Sequence, residues 1–124
     1  MTTSRSESKM SGERMASEAG NSSLAALASF VQQTFPQVEV RWKLHHASFL
    51  IGGKVFAFTR PEGVVLKLPE ERIHALTQTR NAEFLVMGKR TMREWVLLRY
   101  AHHAECAEDG MLLEEALRFV SLQE

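Results

Sequence analysis

The chain has 124 residues, 44% of them hydrophobic and 24% charged, which is one domain's worth of sequence with enough apolar material for a single modest core. Fifteen basic residues balance fifteen acidic ones, which excludes a global field drawing the chain onto nucleic acid or anionic lipid. The lone cysteine, Cys106, excludes an internal disulfide, and the absence of an apolar leader or of any run near the ~18–20 residues of a bilayer span leads us to expect a cytoplasmic protein with no membrane partner.

Residues 1–22 are rich in Ser, Thr, Gly, Glu, Arg and Lys without apolar periodicity, and such a segment buries too little surface to offset its ordering entropy, so a disordered tail is expected there, followed by one folded domain over 23–124. Ser23 is the expected N-cap of a first helix over about 24–34, in which Leu24, Leu27, Phe30 and Val31 recur at helical spacing before Pro36. Residues 38–45 then alternate, with Val38, Val40, Trp42 and Leu44 assigned to a buried face and Glu39, Arg41, Lys43 and His45 to an open one. The Gly52-Gly53 pair between two apolar runs matches a two-residue hairpin, not a phosphate loop: the first glycine of that motif is missing and Val55 stands where a metal-binding hydroxyl belongs.

A second hairpin is expected at Arg60-Pro61-Glu62-Gly63, leading into a strand over 64–68. Pro69-Glu70-Glu71 opens a helix that buries Ile73, Ala75 and Leu76 and ends near Thr79. Residues 83–87 and 95–100 read as two more strands, joined by a connection over 88–94, and Asp109 is the expected cap of a last helix carrying Leu113, Ala116, Leu117 and Val120 on one face. The result is a single two-layer α+β domain, an antiparallel sheet with helices on one face, in the order α, three or four strands, α, two strands, α.

Chemistry is sparse in this pattern. Adjacent histidines (His45-His46, His102-His103) point to opposite faces of an extended chain and lack the paired spacing of a zinc site, and Cys106 sits among Glu105, Glu108 and Asp109, which disfavour a thiolate. No metal, cofactor or catalytic residue is therefore assigned, and the chain is not expected to be an enzyme. The basic residues are the stronger candidates. Residues 38–103 hold eleven Lys/Arg against six Asp/Glu, while 104–124 hold Arg118 against six acids, so the middle is basic and the end acidic, two solvated faces expected to attract one another within the fold. Lys54, Arg60, Lys67, Lys89, Arg90 and Arg93, at the hairpin tips and in the 88–94 connection, are the candidate contacts to a nucleic acid or partner, with Arg41 and Lys43 able to join them. If the sheet has a face without helices, Val55, Ala57, Val65, Val96 and Leu98 would form an apolar patch there, the mark of a protein partner or homodimer.

The motifs Gly52-Gly53-Lys54-Val55-Phe56-Ala57, Val65-Leu66-Lys67-Leu68-Pro69 with Arg72, Gly88-Lys89-Arg90-x-Met92-x-Glu94-Trp95-Val96 and Glu115-Ala116-Leu117-x-Phe119-Val120, in this order, resemble the TfoX N-terminal domain (TfoX/Sxy) family, itself similar to the MmcQ/YjbR family. The resemblance spans about residues 24–122. It implies a small non-enzymatic α+β regulatory domain of bacterial type, acting in transcription or competence regulation through protein and DNA contacts, and the DNA-binding label of the related family favours Lys54, Lys67, Lys89, Arg90 and Arg93. A homodimeric interaction module without nucleic-acid binding is the alternative. Where family members carry Met-Phe-Gly before the first hairpin, this chain has Lys43-Leu44-His45-His46.

Overall fold

The computed structural model describes residues 15–123, with side chains from residue 22. One open antiparallel sheet of six strands is covered on one face by three helices. Helix α1 (Met15–Thr34) leads into β1 (Glu39–Lys43), β2 (His46–Ile51), β3 (Lys54–Arg60) and β4 (Gly63–Lys67); α2 (Glu70–Thr79) follows, then β5 (Ala82–Met87), β6 (Arg90–Arg99), a 3₁₀ segment (His103–Asp109) and α3 (Gly110–Ser121). In space the strands run β1-β2-β3-β4-β6-β5, with four strands before α2, the larger of the two counts the sequence pattern allows, and two after it.

The first helix starts earlier than expected. It begins at Met15 instead of Ser23, because Met, Ala and Glu in this stretch are good helix formers and extending an existing helix costs far less than nucleating one. The remainder of the expected tail, residues 1–14, lies outside the described residues. Ser23 is inside the helix, and its Oγ accepts a hydrogen bond from the Ala104 backbone N–H at 2.8 Å, tying α1 to the 3₁₀ segment.

Both expected hairpins form. Gly52 and Gly53 take φ of 58° and 81° between β2 and β3, the left-handed pair that a two-residue primed turn requires. One step on β2 (Phe49 to Leu50) spans two on β3 (Ala57 to Val55), so Phe56 is the extra residue of a β-bulge. Phe56 and Ala57 are consequently both fully buried in the main core beside Phe49. Strict alternation would have sent one of them to the other face, and for this reason Ala57 does not belong to the helix-free patch expected above.

The main core joins Leu27, Ala28 and Val31 of α1, Ile73 and Leu76 of α2, and Leu112, Leu113, Ala116, Leu117 and Val120 of α3 to Phe49, Val64, Leu66, Val96 and Leu98 of the sheet. Val96 and Leu98 thus face the helices, and Ala75 of α2 is exposed. In β1, Val40 pairs with Phe49 and Trp42 with Ala47, so Val38, Val40 and Trp42 share the helix-side face as expected. Burial along it fails toward the strand's end: Val38 is buried, but Trp42 is 53% exposed and Leu44 87% exposed. Among the described residues no helix covers that corner, and Leu44 sits in the turn at φ 54°, outside the strand altogether.

Candidate functional site

The helix-free face owes its shape to an irregularity in the last hairpin. Phe84 pairs with Val96, but its neighbour Leu85 pairs with Met92, so one step on β5 spans four on β6 and the hairpin bends sharply there. Leu85 and Met92 come down on Val65 and Leu97, with Phe58 and Trp95 packed at the sides, as a second small apolar cluster. Val65 is fully buried as a result, and Arg60 Nη1 donates to Met87 Sδ at 3.5 Å across the face. The chain covers the centre of its own open face. The exposed apolar patch expected of Val55 and Val65 is therefore absent at its middle, and the expected 88–94 connection is instead a two-residue turn, Gly88-Lys89, with Arg90 and Arg93 inside β6.

The six candidate cations divide among several places. Lys89 and Arg90 are exposed at the bent hairpin tip, and because Arg90 pairs with Met87, the bend brings them toward Arg60. Arg60 is held near Glu62 at 3.6 Å. Lys67 lies on the same face, its ammonium 5.5 Å from the Trp95 ring centroid, a cation–π distance. Lys54 and Arg93 leave the group. Lys54 Nζ donates to the carbonyl of Gln123 beyond the end of α3, where the helix dipole favours a cation, and Arg93 stands 3.6 Å from Glu70 in the first turn of α2.

Register adds Arg41, Lys43 and Arg99 to the helix-free face, since each alternates with a residue directed at the helices. Two carboxylates there are matched, Glu39 accepting from Arg41 at 2.7 Å and Glu83 from Arg99 at 2.9 Å, and Glu94 lines one hollow with Arg90 and Trp95. The surplus is positive, carried by Lys43, Lys67, Lys89 and Arg90. The helix layer holds the acids, and two middle-region cations cross to them as expected: Arg72 donates two bonds to Glu115, at 2.8 and 3.1 Å, and Arg80 two to Asp109, both at 2.9 Å.

The Arg80–Asp109 pair centres a polar cluster that local sequence signals do not reveal. Asp109 precedes α3 without capping it through its side chain. Its carboxylate is taken instead by the Arg80 fork and by the Tyr100 hydroxyl, which donates to Oδ2 at 2.6 Å. These hydrogen bonds, Arg80's foremost, hold the Asp109 carboxyl below the ordinary aspartate range, and burial pushes the Tyr100 hydroxyl up. The cluster clamps the end of α2, the end of β6 and the start of α3 together. Cys106 lies beside it, fully buried, and burial first of all pushes its thiol up to about 12. The direction matches the expectation from its acidic neighbours, with desolvation as the larger cause. Native Cys106 is expected to resist a neutral alkylating reagent at pH 8 and to react on unfolding, as followed by mass spectrometry; native labelling at the rate of a free thiol would contradict this burial.

The His102-His103 pair is not on an extended chain: His102 precedes the 3₁₀ helix and His103 begins it, His103 Nε2 donating to the Arg60 carbonyl at 2.7 Å. Among the described residues no three His, Cys, Asp or Glu side chains are grouped to hold a metal ion, and no helix is long and apolar enough to cross a membrane. The fold and surface define an α+β domain with a cationic, helix-free sheet face. Comparison with family models, with curated proteins and with solved structures finds no match for the chain.

Proposed function

We propose that this domain is a non-enzymatic regulatory module that binds nucleic acid through the helix-free face and the bent β5–β6 hairpin, in transcription or competence control. The observation that carries the reading is the segregation of charge: Lys43, Lys67, Lys89 and Arg90 are in surplus over the matched carboxylates of that face, while the acids of residues 104–124 lie in the other layer. Lys89 and Arg90 project as a wing does, and Arg60 stands behind them. The order of motifs that resembles the TfoX N-terminal domain supports the same reading.

Fluorescence anisotropy of a labelled random duplex tests it. Four phosphate contacts would make log K fall against log salt with a slope of about −3.6, and replacing Lys89 and Arg90 together by Ala should reduce that slope by about 2 units. Absence of binding at low salt would remove nucleic acid and leave a protein partner as the target.

A further inference from the structure

The two edges of the sheet are treated differently. β5 follows the bend that the extra residues of β6 opposite Phe84 and Leu85 put into the last hairpin, and a bulge of this kind is one way natural sheets protect an edge from pairing. β1 at the other edge is regular over all five residues, with neither a bulge nor a proline. The two-residue turn Leu44-His45 makes Lys43 and His46 a hydrogen-bonded closing pair, so by alternation Glu39, Arg41 and Lys43 direct their amides to β2 while Val40 and Trp42 direct theirs outward. Among the described residues this ladder edge is unpaired, beside the exposed Trp42.

We propose that this edge pairs antiparallel with the same edge of a second copy of the chain, about a two-fold axis at Arg41. The strand, Glu39-Val40-Arg41-Trp42-Lys43, is self-complementary in that register. Glu39 falls opposite Lys43 on the outer face, giving two opposite-charge pairs, and Val40 falls opposite Trp42 on the helix side, giving two aromatic–aliphatic pairs, each a stabilising cross-strand combination. The outward amides of Val40 and Trp42 satisfy one another. Arg41 meets its own copy, and its charge is offset by the Glu39 carboxylate 2.7 Å away in each chain. The exposed Leu44 of one copy comes beside the entry to β1 of the other, so the side chains that no helix covers are covered by the second copy. The axis stands perpendicular to the sheet and leaves both helix-free faces on one side of a continuous twelve-stranded sheet. This pairing does not depend on nucleic-acid binding.

Sedimentation equilibrium of the full chain over a wide concentration range is the test. The mass should rise from 14.1 kDa to twice that value, and Trp42→Lys, at a position already half exposed, should raise the dissociation constant by about 30-fold or more, as loss of a central tryptophan does. Glu39→Lys should weaken the dimer, and adding Lys43→Glu in the same chain should restore it. Circular dichroism establishes that each variant is folded. A monomer at all concentrations overturns the proposal, as does a dimer indifferent to Trp42→Lys or a double charge exchange that fails to rescue.

Discussion

Gly63→Ala is expected to destabilise the domain by about 3 kcal/mol or more, the upper range for forced overpacking, lowering the Tm by more than about 10 °C. A Cβ at Gly63 would lie 1.9 Å from the Leu98 carbonyl oxygen and 2.9 Å from its carbon, atoms that cannot yield without separating β4 from β6. Both are interior strands of the sheet, Gly63 pairing with Arg99. The glycine therefore answers to close backbone approach, beyond the turn position that its sequence context suggests. Gly53→Ala is the control: its φ is 81° but nothing lies within 4 Å of the added carbon, so only left-handed strain of about 1–2 kcal/mol opposes it. Thermal denaturation of the two variants side by side should rank them in that order, and equal losses would mean that β4 and β6 readjust freely.

Asp109→Ala is expected to cost about 2 kcal/mol at neutral pH, less than the 3–5 kcal/mol of a wholly buried pair because both side chains keep about a quarter of their surface exposed. The loss leaves the Arg80 guanidinium and the Tyr100 hydroxyl without their shared acceptor. Arg80→Lys should recover little, since an ammonium cannot reproduce the two parallel bonds to the carboxylate. The effect has a pH signature. The Asp109 carboxyl titrates lower in the folded protein than the ordinary 3.8, so its contribution is present above that value and is lost as the pH falls through the folded pKa. Urea midpoints of parent and variant should differ most at neutral pH and converge in strong acid; a gap of constant size across that range would mean that the carboxylate's charge is not what stabilises the clamp.

Much of the architecture was legible in the chain because it rests on local chemistry. The glycine pair 52–53, the Pro61 turn, the acidic opening of α2 and the apolar stripe of α3 each state their structure within a few residues, and from them the order of three or four strands before α2 and two after it follows. What needed the tertiary structure was every feature that depends on a distant partner. Alternation placed Trp42 on the helix-side face correctly, yet whether that face is covered depends on where the helices lie. The extra residues of β6 opposite Phe84 and Leu85 change which cations meet, bringing Lys89 and Arg90 toward Arg60 and leaving Arg93 beside Glu70, and no periodicity announces a bulge. Arg80 and Asp109, twenty-nine residues apart, become partners only when α2, β6 and α3 pack together. Composition and periodicity act over one turn or one strand, whereas exposure, register and ion pairing are settled by how the finished elements meet.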